Sequence, residues 1–319
     1  MLPTLAELEA AAALVYRHMP PTPQYNWPLV DALAGTEVWV KHENHTPVGA
    51  FKIRGGIVYM DWLKRAHPEV NGVVSATRGN HGQAMGFAAR MTGTPAVVVV
   101  PFGNSVEKNA SMRALGVELI EEGDDFQAAS DYADQLARGR NLFRYPQVDP
   151  LLVLGVGTYA LEFLRGAPPL DTVYVPIGMG SGACGMIAAR DALGLDTKIV
   201  GVVSSGAPSY QLSFEAGQVV EHAVTTVLAD GMACRRADAG ALAILRKGLE
   251  RVVLVDEENV ASAMRALFAA THNVAEGAGA ASFAALMTEK EDMQGKRVGV
   301  VLCGGNVDAA KFAKVLAAA

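Results

Sequence analysis

The stretch "TVYVPIGMGSGACG" (172–185) places an apolar β-rich run, a glycine-rich turn and a helical segment in direct succession. This order is typical of a parallel strand followed by the helix that covers its sheet. Successive N–H groups of such a turn point outward at the start of the helix, where they suit a phosphate. The spacing Gly178-Met179-Gly180-Ser181-Gly182 follows neither GxGxxG nor a P-loop, so from these glycines alone a plain tight turn is an equal alternative.

The same alternation continues along the chain and predicts an α/β protein with parallel sheets. The strand segments are nearly continuous in apolar residues, as expected where helices cover both faces of a sheet. The alternation breaks around 141–158, which contains Pro146 and Pro150, so we expect two sheets. The predicted domains are 1–40 with 146–319, and a smaller unit, 41–145. The further predicted strands are "NGVVSA" (71–76), "PAVVVVP" (95–101), "VELIEEG" (117–123), "KIVGVVS" (198–204), "RVVLVD" (251–256) and "RVGVVLCGG" (297–305).

Composition excludes several classes of function. The 319 residues carry a net charge of −6 with scattered Lys and Arg, which disfavours nucleic acid as a partner. No apolar run approaches the ~20 residues that span a bilayer. The first residues predict an amphipathic helix capped near Thr4 rather than a signal peptide. The three cysteines are widely spaced, which fits a reducing compartment, so we expect a cytoplasmic protein. No His, Cys, Asp and Glu residues have metal-ligand spacing.

One lysine lies in an apolar, glycine-rich setting. The stretch "TPVGAFKIRGG" (46–56) contains Lys52 directly after Gly-Ala-Phe. Burial in such a segment lowers the pKa of an amine, and a neutral amine can form a Schiff base with a carbonyl. The alternative is an ordinary lysine whose stem is buried and whose amine reaches solvent.

Two other stretches lie where ligands collect in α/β proteins. In "SATRGNHGQAMGFAA" (75–89), small polar residues at a helix start could cradle a carboxylate, or Asn80 could simply cap the helix. In "LCGGNVD" (302–308), Cys303 follows the last strand at its carboxyl end. The alternative for Cys303 is a small buried apolar residue.

Together and in this order, these stretches resemble the fold-type II pyridoxal phosphate enzymes, in particular the serine/threonine dehydratase and serine racemase branch. The likeness spans about Pro23 to Asp308. It implies the tryptophan synthase beta-like fold, with a large cofactor-binding domain and a small mobile domain, 41–145, that closes over the substrate. The matching segments are "KHENHTPVGAFKIRGG", "SATRGNHGQ", "GVGTYALE" (155–162), "GMGSG", "LADGMA" (228–233), "VAEGAGAAS" (274–282) and "LCGGNVD".

The resemblance implies pyridoxal 5'-phosphate as cofactor and assigns roles to individual residues. Lys52 would hold the cofactor as a Schiff base and take the proton from the substrate Cα. Cys303 would face the pyridine nitrogen, and its thiol cannot keep that nitrogen protonated as an aspartate would. The resemblance therefore favours β-elimination. The implied cofactor contacts are Phe51 beside the ring, Asn80 on the ring hydroxyl, Gly178, Met179, Gly180, Ser181 and Gly182 on the phosphate, Glu276 near the ring edge and Cys303 at the ring nitrogen. The implied substrate contacts are Thr77, Arg78, Gly79, Asn80 and His81.

The sequence departs from the family pattern at several positions. Arg78 replaces the serine that serves racemases as a second acid or base, which predicts little racemisation because arginine stays protonated. Arg78 either anchors an acidic or extended part of the substrate or forms a structural ion pair. Ser204 and Tyr210 replace the Glu and Asp of the family's divalent cation site, which predicts that no metal binds there.

Val48 and Ala50 replace the Thr and Ser of the usual Thr-Gly-Ser-Phe-Lys, which predicts a more apolar substrate pocket. The chain ends soon after the last strand, which predicts a catabolic enzyme without a regulatory module.

The predicted function is therefore a dehydratase (ammonia-lyase) that converts an L-3-hydroxy amino acid of the threonine or serine type to a 2-oxo acid and ammonia. The first alternative is the same reaction on 3-hydroxyaspartate or a bulky 3-substituted serine such as phenylserine. Less favoured are a β-replacement enzyme, a racemase and a non-catalytic phosphate-ligand binding protein. The resemblance also implies a homodimer.

Overall fold

The computed structural model describes residues 2–318, which form thirteen α-helices and ten strands. The strands are β1 (Gln24–Asn26), β2 (Glu37–His42), β3 (Val73–Ala76), β4 (Ala96–Val100), β5 (Glu118–Glu121), β6 (Phe143–Arg144), β7 (Thr172–Pro176), β8 (Lys198–Ser204), β9 (Arg251–Val255) and β10 (Arg297–Leu302). The helices are α1 (Leu5–Val15), α2 (Pro28–Ala34), α3 (Lys52–Ala66), α4 (Asn80–Thr92), α5 (Val106–Ala114), α6 (Phe126–Gly139), α7 (Pro150–Gly166), α8 (Ser181–Ala192), α9 (Ser209–Ala216), α10 (Ala239–Gly248), α11 (Glu257–Thr271), α12 (Gly277–Thr288) and α13 (Ala309–Ala317).

The larger sheet has six strands in the order β1-β2-β10-β7-β8-β9. All neighbours are parallel except β1 and β2. In its centre Val300 of β10 pairs with Val40 of β2 and with Tyr174 of β7, and all three side chains are buried. Helices α8 and α12 pack on this sheet, α8 against α7 and α12 against α11. The main hydrophobic core lies between these layers.

The smaller sheet has four parallel strands in the order β5-β4-β3-β6. Helices α4 and α6 pack on it, and the side chains of β4 are buried along its whole length. Helix α3 lies between the two sheets, where it packs on α4 and on α7. The predicted α/β fold with two parallel-sheet units is thus confirmed.

Three features differ from the sequence prediction. The strands β1, β2 and β6 were not predicted, and β6 has only two residues, too few for any apolar periodicity. The expected break at 141–158 contains the start of α7, the longest helix in residues 2–318, with Pro150 as its first residue and Asp149 as its cap. Proline is favourable at that position because the first helical N–H has no partner inside the helix. The predicted cap at Thr4 is confirmed. Among residues 2–318, no helix has both the length and the apolar character needed to cross a bilayer.

Candidate active site

The carboxyl ends of strands from both sheets meet at one large cleft, as ligand sites do in open α/β sheets. The segments that follow β3, β7 and β10 all lie on its wall, and its volume is about 1840 Å³. Every residue that the sequence resemblance assigned to cofactor or substrate lies on this wall. These residues are Phe51, Lys52, Thr77, Arg78, Gly79, Asn80, His81, Gly178, Met179, Gly180, Ser181, Gly182, Glu276 and Cys303.

Lys52 is the first residue of α3, and its amine faces the cleft. The Nζ atom lies 5.0 Å from the centroid of the Phe51 ring, within the range of a cation–π contact. Burial lowers the pKa of Lys52, which Cys234, Cys303 and Glu276 partly oppose. A lysine with a lowered pKa supplies the neutral amine that nucleophilic attack and proton abstraction require.

A buried ionic cluster holds the first turn of α3. Arg54 donates from Nε to Glu43 Oε2 at 2.8 Å and from Nη1 to Glu162 Oε1 at 2.6 Å. Lys41 Nζ donates to Glu162 Oε2 at 2.6 Å. Lys41 and Glu162 belong to β2 and α7, so the cluster fixes the segment that carries Lys52 to the larger sheet.

The glycine turn 178–182 presents free amides at the start of α8. The N–H of Cys184 is bonded to the carbonyl of Gly180, so the amides before it in the helix have no partner within it. Gly180 has φ +98°, a left-handed conformation that glycine adopts without strain. The turn lies beside Lys52, since a Cβ on Gly182 would stand 3.5 Å from the Phe51 ring. This arrangement suits a phosphate.

Tyr210 stabilises the glycine turn from behind. Its hydroxyl donates to the Met179 carbonyl at 2.8 Å and accepts from the N–H of Asp238 at 3.0 Å. Tyr210 is one of the two residues that replace the family's metal ligands, and here it has a different contact. In residues 2–318 no group of three or more His, Cys, Asp or Glu side chains is placed to hold a metal ion.

The start of α4 forms the second polar wall. Gly79 is the N-cap residue, and Asn80 is the first helical residue rather than the cap. The lack of a side chain at Gly79 lets the Lys108 stem pass close by, since a Cβ there would stand 2.5 Å from Cδ of Lys108. His81 is buried, and its Nε2 has no partner in residues 2–318. Burial, with Lys52 and Arg144, lowers the pKa of His81 to about 3, so the ring stays neutral.

Glu276 is a buried carboxylate at the floor of the cleft. Oε1 accepts from Asn80 Nδ2 at 2.6 Å, whereas Oε2 has no hydrogen-bond partner in residues 2–318. Lys108 Nζ lies 3.9 Å from Oε2 and bonds to Asp230 at 2.7 Å. Burial raises the pKa of Glu276 to about 7, with Lys108 opposing the shift. The carboxyl group can therefore change charge at neutral pH.

Two thiols face the amine of Lys52. Burial raises the pKa of Cys303 well above its ordinary value and that of Cys234 to about 11. Both groups therefore remain protonated at neutral pH. Cys303 follows β10, and its carbonyl accepts from the N–H of Phe51 at 3.0 Å, which joins the lysine segment to the last strand.

Arg78 is exposed on the cleft wall and forms no ion pair with any residue in 2–318. The structural ion pair considered from the sequence is therefore absent from this part of the chain. Val48 and Ala50 are buried and do not belong to the cleft wall that residues 2–318 form. The backbone of this segment contacts residues 304–306, and the more apolar substrate pocket stays a prediction.

Sequence reasoning missed three cleft residues with ionisable side chains: Lys108, Asp230 and Cys234. Asp230 lies within "LADGMA" and Cys234 one residue beyond it, so the motif was the available signal. No sequence signal indicated Lys108, because the pattern of "SVEKNASMRALG" is typical of an ordinary solvated helix.

The matching family model, described as pyridoxal-phosphate dependent enzyme, covers residues 15–304. The chain belongs to this family. The family resemblance and the pyridoxal 5'-phosphate cofactor predicted from the sequence are thus confirmed. The residues of this pyridoxal-phosphate dependent enzyme also fit the cofactor. An anionic group matches the free amides of the glycine turn, an aldehyde matches the Lys52 amine, and the buried unpartnered Glu276 Oε2 and His81 Nε2 await polar partners.

Named relatives are similar over most of the enzyme. The L-threonine ammonia-lyase of Geobacter sulfurreducens is 37% identical over 276 residues, which cover 86% of this chain and 68% of the relative. The L-threo-3-hydroxyaspartate ammonia-lyase of Saccharomyces cerevisiae is 28% identical and covers 99% of this chain and 97% of its own. The processed threonine deaminase isoform 2 of Solanum lycopersicum superposes with a TM-score of 0.90 at 27% identity, over 99% of this chain and 95% of that structure.

Proposed function

We propose that this enzyme is an ammonia-lyase that converts an L-3-hydroxy amino acid of the threonine or serine type to a 2-oxo acid and ammonia. The predicted class, a pyridoxal-phosphate dependent dehydratase, is confirmed by relatives named L-threonine ammonia-lyase or L-threonine dehydratase at up to 37% identity. The observation that carries the proposal is the Lys52 amine in one cleft with the free amides of the glycine turn. The amine can react with the aldehyde of the cofactor while the amides of the turn bind its phosphate.

Each wall of the cleft has a part in the reaction. The cofactor supplies an aldehyde for covalent attachment and a ring that withdraws electrons from the substrate Cα. The amides of 178–182 would hold the phosphate, and the neutral amine of Lys52 would remove the proton from Cα. The backbone amides at the start of α4, the N–H of His81 among them, would bind the substrate carboxylate.

The protonated Cys303 cannot supply the negative charge that would keep a ring nitrogen protonated, since burial holds its pKa high. The electron-withdrawing power of the site is therefore limited. This favours loss of a β-hydroxyl over a long-lived carbanion at Cα. The lack of a second base at Arg78 further disfavours racemisation.

The predicted mobile unit, 41–145, would close over the substrate with its four-stranded sheet, whereas Lys41 and Arg54 tie its first segment to the cofactor-binding unit, 1–40 and 146–319. The enzyme would act as a cytoplasmic homodimer, with serine as a second substrate.

The proposed reaction is tested by the release of 2-oxo acid from L-threonine and L-serine. Lys52→Ala should abolish turnover and also the absorbance band that borohydride removes from the wild-type protein. Lys311→Ala, which removes a lysine from the rim of the same cleft, should keep the band. A Lys52→Ala protein that retains turnover would refute the assignment.

A second candidate substrate is 3-hydroxyaspartate, which the unpaired guanidinium of Arg78 on the cleft wall favours. A distal carboxylate would gain a bidentate charge-assisted contact there. Arg78→Ala should then reduce kcat/KM for 3-hydroxyaspartate by about tenfold or more and leave threonine nearly unchanged. Equal losses on both substrates would remove the reason for this candidate.

A further inference from the structure

A chain of side-chain amides joins the two sheets behind the cleft. Asn306, which follows β10, donates from Nδ2 to the Val48 carbonyl and to Asn80 Oδ1, both at 2.8 Å. Asn80, at the start of α4, donates in turn from Nδ2 to Glu276 Oε1 at 2.6 Å. Asn80 belongs to the smaller unit, whereas Asn306 and Glu276 belong to the larger one. The side-chain amide of Asn80 is therefore held in place by two residues of the larger unit.

The direction of this chain is fixed by a backbone group. The Val48 carbonyl can only accept, so Asn306 must turn its NH₂ group toward it. The second N–H of the same NH₂ then requires an oxygen from Asn80, which places the Asn80 NH₂ toward Glu276. If Asn80 were flipped, two NH₂ groups would face each other and two oxygens would meet at Glu276.

Glu276 alone would not fix this direction at neutral pH. An ionised carboxylate accepts from an amide, but a protonated carboxyl can also donate to an amide oxygen. Because burial raises the pKa of Glu276 to about 7, both forms are populated near neutrality. Asn306 provides a constraint that does not depend on that charge.

Asn306 lies behind the large cleft. It lines a small adjoining pocket of about 20 Å³, whereas Asn80 lines the large cleft that residues 2–318 form. Gly49 makes room for it, since a Cβ on Gly49 would stand 2.6 Å from Asn306 Oδ1. Gly49 also has φ +68°, a conformation that disfavours any other residue.

We propose that Asn306 is a positioning residue that fixes the Asn80 amide with its NH₂ group as the donor to the cofactor ring oxygen. The second N–H of that group remains after the bond to Glu276 and is the donor in question. This inference rests on the proposed placement of Asn80 beside the cofactor. Asn306 acts through Asn80 and touches neither cofactor nor substrate.

The test is a double-mutant cycle on cofactor binding. Apoprotein is titrated with pyridoxal 5'-phosphate, and the Kd and the position of the absorbance band are measured for wild type, Asn306→Ala, Asn80→Ala and the double variant. Asn306→Ala should weaken binding roughly three- to tenfold and shift the band. In the Asn80→Ala background the same change should have no further effect.

Glu107→Ala is the matched control. It removes another hydrogen bond between the two units, from the N–H of Ala309 to Glu107 Oε1, without touching Asn80. It should leave the band in place. Thermal melting of each apoprotein separates a loss of folding from a loss of binding.

The outcomes separate the inference from its premise. If Asn80→Ala binds the cofactor as wild type does, the placement of Asn80 is wrong. If Asn80→Ala weakens binding but Asn306→Ala does not, or if Asn306→Ala acts equally in both backgrounds, the positioning role is refuted. Equal band shifts in Glu107→Ala and Asn306→Ala would also overturn it, since they would reflect only contact between the units.

Discussion

Glu276 should make the apoprotein less stable as pH rises from about 4.5 to about 7. Its pKa is raised from 4.5 to about 7 in the folded chain because the carboxyl is buried with one oxygen unpartnered. Between these two values the folded state binds a proton that the unfolded state has released. The free energy of unfolding therefore falls as pH rises from 4.5 to 7. The shift corresponds to about 3 kcal/mol, fully present as a cost above pH 7 and absent below pH 4.5.

Glu276→Gln removes this titration with little change of shape, since the amide oxygen can still accept from Asn80. Urea unfolding of both apoproteins at pH 5 and pH 8 measures the effect. Between pH 5 and pH 8 the free energy of unfolding should fall by about 2 kcal/mol more in wild type than in the variant. The difference between wild type and variant cancels the contribution of all other titrating groups. Glu250→Gln changes a surface carboxylate and should show the same pH dependence of unfolding as wild type. Parallel pH dependence in wild type and Glu276→Gln would refute the reasoning.

Three other changes have definite expectations. Gly178→Ala would place a Cβ 2.4 Å from the carbonyl oxygen of Gly231, so the turn must move and the affinity for pyridoxal 5'-phosphate should fall about tenfold or more in apoprotein titrations. Arg54→Leu leaves buried carboxylates without their partner and should lower the free energy of unfolding by about 3–5 kcal/mol in urea. Tyr210→Phe loses both hydroxyl hydrogen bonds and should cost about 1–3 kcal/mol in the same measurement. Unchanged affinity in the first variant, or unchanged stability in the other two, would contradict these assignments.

The sequence was most informative where local pattern and tertiary role coincide. Apolar runs such as 198–204 were identified with the bounds that the structure gives, because a fully buried parallel strand is apolar on both faces. The family, the fold and the cofactor were predicted from short motifs in a fixed order, and the comparisons confirm them.

The remainder depends on contacts that no local pattern encodes. Lys108 has a chemical role only because its stem crosses Gly79 and its amine reaches Asp230 from the other sheet unit. Asn306 was visible in its motif, but its two acceptors come from distant segments. Proline was misleading at 150, where the same ring that breaks a helix interior is favourable at a helix start.

The ionic cluster around Arg54 has a consequence for geometry during turnover. It ties the reactive amine to the six-stranded sheet, whereas the amides proposed to hold the substrate carboxylate begin a helix of the four-stranded one. The distance from base to Cα therefore depends on the position of the four-stranded sheet relative to the six-stranded one. In the proposed closure, the substrate would bring its acidic hydrogen toward an acceptor that stays with the larger sheet.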